Sequence, residues 1–125
     1  MLKPGDVVLV DFMGATGIKR RPAMVVSSDL YHAHRPDLIL AVLTSQVASA
    51  TAPTDHVLHD WTAAGLHSPS AFRAYFGMAI PLAVHRIGHL TSRDRPGSEN
   101  ACLAQWSRLR PGNSSRLAQP LLAAH

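Results

Sequence analysis

The segment that most restricts the fold is LILAVLTSQ, residues 38–46. Its apolar positions run unbroken from Leu38 to Leu43, so no register leaves one face in water. Pro36 precedes it, Thr44-Ser45-Gln46 closes it, and the run is far too short to cross a bilayer. It reads as a strand buried on both faces, which the rest of the chain has to cover.

Candidates for that cover lie on either side. Residues 6–12 (DVVLVDF) follow Pro4-Gly5 and are rich in β-branched residues, the pattern of a strand after a turn. Residues 13–19 (MGATGIK), with two glycines, read as a flexible loop. A second strand is expected over 23–28, where Pro22 biases Arg21 toward extended geometry. Residues 29–35 are polar, and 47–54 form a small-residue connection ending near Pro53. Residues 56–61 (HVLHDW) alternate as a fourth strand. In 70–80, Phe72, Ala74 and Phe76 alternate with Arg73 and Tyr75, a fifth. Residues 82–90 fit either a strand or a short helix. Thr91-Ser92-Arg93-Asp94 resembles a helix start, and Leu103, Trp106 and Leu109 continue at helical spacing up to Pro111-Gly112. Five or six short strands and one late helix describe a mainly β chain, a small curved barrel. A sandwich of the same strands fits the periodicity equally.

Composition narrows the class. A chain of 125 residues with 46% hydrophobic content is one domain with a modest core. The single cysteine, Cys102, forms no internal disulfide, and MLKPGDVV lacks a signal-peptide layout, so a cytoplasmic protein with no membrane segment is expected. The net charge of +4 is unevenly spread. Through His85, six Lys/Arg balance six Asp; the excess lies in residues 86–125, where six arginines face only Asp94 and Glu99. Global basicity is therefore weak evidence for nucleic acid, and the local cluster Lys19-Arg20-Arg21 counts for more.

The order of motifs carries a resemblance. GDVVLVDF, KRRPAMVVSSD, DLILAVLTSQ, GLHSPSAFR and IGHLTSRD follow one another as in the MazF/PemK family of toxins from bacterial toxin–antitoxin pairs, which the chain resembles over roughly residues 3–95. The resemblance implies an SH3-like barrel of the CcdB/MazF type with a C-terminal helix over residues 1–110, leaving 111–125 as a tail, and a homodimer. It also implies a metal-independent endoribonuclease without cofactor, with single-stranded RNA and a cognate antitoxin as partners. The family's arginine before proline falls on Arg21, and its threonine at the end of the third strand falls on Thr44, the two catalytic candidates. Some members use an Arg-x-Asp pair in a later strand; Arg73 matches the arginine, but Tyr75 stands where the acid would be.

Cleaving RNA through its own 2′-OH requires removal of that proton, stabilisation of an anionic phosphorane and a proton for the departing 5′-oxygen. A guanidinium suits the second task, because its planar donors hold two phosphate oxygens together. Thr44 would donate a hydroxyl to the same phosphate. Arginine is a poor base, so His32 or His34 is the expected proton acceptor at neutral pH. Lys19 and Arg20 would hold flanking phosphates, with Arg73 and Tyr75 as further substrate contacts, and Tyr31, Trp61 and Tyr75 as stacking platforms. The pairs His32-x-His34 and His56-x-x-His59 come without an obvious third ligand, so no metal site is expected. The competing reading is a non-catalytic member of the barrel superfamily that binds an antitoxin or DNA gyrase.

Overall fold

The structure is a computed structural model that describes residues 1–106. Strands β1 (Asp6–Gly14) and β2 (Gly17–Val25) form an antiparallel hairpin, with Asp11 opposite Arg20 and Gly14 opposite Gly17. The expected flexible loop over 13–19 is thus mostly strand. The glycine that marks it as a loop, Gly17, serves instead to turn tightly at φ +120. A one-and-a-half-turn helix, α1 (Asp29–His34), follows, and the Ser28 hydroxyl caps it by accepting from the Tyr31 amide. Next come β3 (Leu38–Thr44), β4 (Asp55–Val57), β5 (Ala71–Ala79) and β6 (Val84–His89). The helix α2 (Arg95–Gln105) ends the described chain, with Pro96 in its first turn. Among the described residues no helix is long and apolar enough to cross a membrane.

All six strands join one antiparallel sheet in the order β4-β5-β3-β2-β1-β6. A single curled sheet closed by a C-terminal helix is a half-barrel, so the barrel reading holds and the sandwich does not. Two irregularities help to bend it, one between Val7 and Val8 against β6 and one between Ala41 and Val42 against β5. The expected fourth strand is shorter than its alternation implies. Only Asp55–Val57 pairs with β5, because the chain then turns to give Asp94 the amides of His59 and Asp60. Residues 82–90 resolve into a short 3-10 turn, Pro81–Ala83, and the edge strand β6.

β3 is the axis of this arrangement. Its Ala41 and Leu43 enter a core with Val7, Met24, Phe72 and Leu90, onto which Ala101 of α2 packs. Its Leu38 and Leu40 enter a second cluster on the opposite face with Val8, Val10, Ala23 and Val25. The unbroken apolar run therefore does face two cores. The loop after β4 presses backbone to backbone on β6. A Cβ on Gly65 would overlap the Ile87 carbonyl, and one on Gly88 would overlap the carbonyl of Ala64.

Two buried carboxylates tie the ends of the sheet. Asp6 of β1 is contacted by the His89 imidazole at 2.7 Å and Arg86 at 3.1 Å, both of β6, and by the Lys3 amide at 2.8 Å. Burial pushes its pKa up, but these partners together outweigh burial and hold it below the usual carboxylate range. Asp94, fully buried, behaves the same way. The amides of His59 and Asp60, then the His56 imidazole, outweigh its burial.

Candidate active site

The site begins with one missing donor. The Val26 amide donates to the Ile39 carbonyl at 2.9 Å, and Val25 offers its carbonyl to Gly5 on the other side. Even-numbered residues of β2 thus aim their backbone N–H at β3. The register pairs Met24 with Ala41 and Ala23 with Val42. The next hydrogen-bonded pair would be Pro22 with Leu43, and proline has no N–H to give. The ladder stops there, although β2 continues back to Gly17 against β1 and β3 runs on to Thr44 against β5.

Where the ladder stops, a cleft of about 230 Å³ opens, lined by Pro22 and Leu43 themselves, by Leu9, Arg21 and Ser45, and by the loop residues Gly65 to Ser68, with Ser70 and Ile87. Continuing the register past Ala23 and Val42 sets Arg21 level with Thr44 on one face of the sheet. Arg73 shares that face, since it pairs with Val42 while Ala71 pairs with Thr44. Sequence spacing gives no hint that residues 21, 44 and 73 share a face; the antiparallel register implies this.

Their charges are disposed differently. Among the described residues, Arg20, Arg73, Arg86, Arg93 and Arg95 each have a carboxylate partner, whereas Arg21, like Arg35 at the end of α1, has none. Arg20 is held by Asp11 at 2.9 Å across the hairpin, which raises the guanidinium's pKa and lowers that of the carboxyl. Arg73 reaches Asp55 at 3.3 Å. Lys19 stands exposed on β2 beside Arg20, and Tyr75 is 70% exposed on β5. The Thr44 hydroxyl accepts from the Gln46 amide at 3.1 Å, which leaves its own proton to donate.

His32 and His34 lie elsewhere. Both sit on α1, beyond the far end of β2 from Arg21, and Arg21 to Val25 alone spans roughly 13 Å of strand. The Nε2 of His32 is 2.6 Å from the Ser27 hydroxyl, and its ring lines a separate cavity with Arg35, Asp37 and Leu38. Tyr31 donates its hydroxyl to Asp37 at 3.0 Å, and Trp61 packs on the core. The histidine that shares the cleft with Arg21 is His67. The sequence gives no signal for it, since a histidine between Leu66 and Ser68 in a loop carries no periodicity.

A match outside the structure bears on the chain's identity. The family model for PemK-like, MazF-like toxins of type II toxin–antitoxin systems matches residues 3–94. The chain belongs to this family. No curated protein sequence matches it. Among solved structures, a mycobacterial endoribonuclease in complex with its cognate antitoxin is similar at 17% identity and a TM-score of 0.73, covering 89% of this chain and all of that one. The toxin MazF-mt6 of Mycobacterium tuberculosis is 16% identical with a TM-score of 0.66, over 82% of this chain and 96% of its own. A MazE–MazF structure from Deinococcus radiodurans has 16% identity and a TM-score of 0.66, over 85% of this chain and 96% of the other. At such identities the likeness is one of fold. The half-barrel is the PemK/MazF architecture.

Proposed function

We propose that this PemK/MazF-family toxin is a metal-independent endoribonuclease that cuts single-stranded RNA in the cytoplasm, at the cleft opened by Pro22. The observation that carries the reading is Arg21, a lining residue of that cleft without a carboxylate partner among the described residues, with Thr44 next to the lining residues Leu43 and Ser45 and keeping its hydroxyl proton. A guanidinium without a carboxylate partner is open to a phosphate, and its fork can take two oxygens. Held on a strand beside proline, it loses little freedom on binding.

The first proton step goes to His67, which lines the same cleft. A neutral imidazole takes the 2′-OH proton, the 2′-oxygen forms a bond to phosphorus, and the bond from phosphorus to the 5′-oxygen breaks. Arg21 and Thr44 stabilise the crowded anion between these events, and the 5′-oxygen leaves with a proton from water. The ends produced are a 2′,3′-cyclic phosphate and a 5′-hydroxyl. The narrow cleft admits an unpaired base rather than a duplex, which fits a single-stranded substrate. Lys19 and the exposed Tyr75 supply a flanking phosphate contact and a stacking face.

A homodimer and a cognate antitoxin complete the reading. Met78, Ile80 and Leu82 are 66%, 54% and 94% exposed, an apolar strip that a second copy would cover. The test is cleavage of a long RNA with a chelator present, beside DNA of matching sequence. Discrete RNA cuts with cyclic phosphate ends, intact DNA, and a large loss of rate in His67→Gln are the expected results. Uncut RNA from a folded protein, over varied sequences, would transfer the reading to a toxin that acts by binding alone.

A further inference from the structure

The second histidine pair, His56-x-x-His59, acquires in three dimensions the partner it lacks in sequence. Asp94, 38 residues beyond His56, brings a carboxylate oxygen within 3.0 Å of the His56 Nε2. One donor atom each from His56, His59 and Asp94 lies within 4.8 Å of the others. We propose that these three residues form a binding site for a divalent transition metal of the zinc class.

The spacing fits the chemistry. Bonds of about 2.0–2.2 Å from zinc to nitrogen and oxygen, at a tetrahedral angle, set two ligand atoms about 3.3 Å apart. The His56–Asp94 contact is within a few tenths of an ångström of that already. His59 is exposed and has the rotamer freedom to close the remaining distance, so two ligands are fixed and the third swings in. Water fills the fourth position.

The fixed pair is held from both sides. Asp94 stands at the N-cap of α2, yet its carboxylate makes no bond to its own helix; it takes the amides of His59 and Asp60 at 2.8 Å each. Those bonds aim it at the histidine segment, as outer hydrogen bonds aim metal ligands in general. Behind His56, Gly97 of α2 leaves room for the ring, which a Cβ would overlap. The imidazole is thereby wedged with Nε2 toward Asp94. Asp60, the neighbouring acid, does not compete, because Thr91 and Arg93 occupy its oxygens. A bound ion would replace the His56–Asp94 hydrogen bond, the imidazole proton residing on Nδ1, and would pin β4 to the start of α2.

The test uses the full chain titrated with Co²⁺ followed by visible absorption, and with Zn²⁺ followed by thermal unfolding. Expected are the d–d bands of a tetrahedral cobalt site at one equivalent and a zinc-dependent rise in Tm. His59→Gln, at an exposed position that does not line the Arg21 cleft, is expected to keep the fold and weaken binding about tenfold or more, and His56→Gln to do the same. Absent bands, or zinc affinity equal in wild type and His59→Gln, would overturn the site and leave Asp94 as the acceptor that closes the turn. Because the readout is binding, it stands apart from any RNA cleavage.

Discussion

Two charged residues in different parts of the fold have opposite fates. At Pro22 the ladder between β2 and β3 stops, and Arg21 is left without a carboxylate partner. At the corner between β4 and α2, Asp94 is fully buried and both its oxygens accept hydrogen bonds. Burial decides the difference. A buried charge has to be satisfied from within or it destabilises the fold, whereas an exposed one can wait for a ligand at little cost. The corner satisfies its charge from within, and an ion enters it only by replacing the His56 hydrogen bond, whereas Arg21 stands open to a ligand from outside.

That contrast can be broken. The largest effect is expected from Asp94→Ala, which strips His56 and two amides of their acceptor and should cost about 3–5 kcal/mol of stability, measured by urea unfolding. A loss below about 1 kcal/mol would mean the corner is not structural. Arg21→Ala should do the reverse, lowering RNA cleavage about 10²–10³-fold while leaving the urea midpoint unchanged. If Arg20→Ala lowered cleavage as much, the distinction between an unpaired and a paired arginine would fail.

Pro22→Ala tests the origin of the cleft. Restoring an N–H adds a hydrogen bond of about 1 kcal/mol, while losing the proline gives back about 0.4–1 kcal/mol of chain entropy, so net stability should barely move. Hydrogen exchange should show a newly protected amide at position 22, and cleavage should fall as β2 and β3 zip toward Arg21. A rapidly exchanging amide there would locate the cause of the cleft elsewhere.

The smallest effect is in acid. Asp6 and Asp94 are held below the ordinary carboxylate pKa, so the unfolded chain takes up protons first as pH falls. Their contribution is present above about pH 4 and is lost progressively below it as the folded carboxylates protonate. Tm should decline over that range, and less steeply in Asp94→Asn. A profile identical to wild type would show that Asp94 titrates normally.

How far the sequence reveals these features depends on their range. Strand existence was legible wherever a few neighbouring residues determine it, as in LILAVL with its two buried faces or in the alternation of Phe72 and Ala74 against Tyr75. The 13–19 segment was not, because its glycines signal a turn without saying how tight, and the cross-strand pairing of Asp11 with Arg20 extends both strands toward it. Arg21 and Thr44 entered through a family motif, Arg73 and Tyr75 by comparison with that motif. The structure places Arg21, Thr44 and Arg73 on one face and His32 and His34 away from it. His67 and Asp94 were missed as site residues, each defined by partners in distant segments. Expectations for residues 107–110 and for the tail 111–125 lie outside the described residues.

The sequence by itself determined that this chain makes short strands around one doubly buried segment, that a proline follows its densest cation cluster, and that its motif order is that of the PemK/MazF toxins. Side-chain burial and missing backbone donors are local properties, written residue by residue. Only the tertiary structure decided that Arg20 is paired and Arg21 is not, which histidine shares the Arg21 cleft, and which carboxylate the second histidine pair meets. Those depend on the register of antiparallel strands and on where α2 docks, and register is fixed by the packing of the whole core.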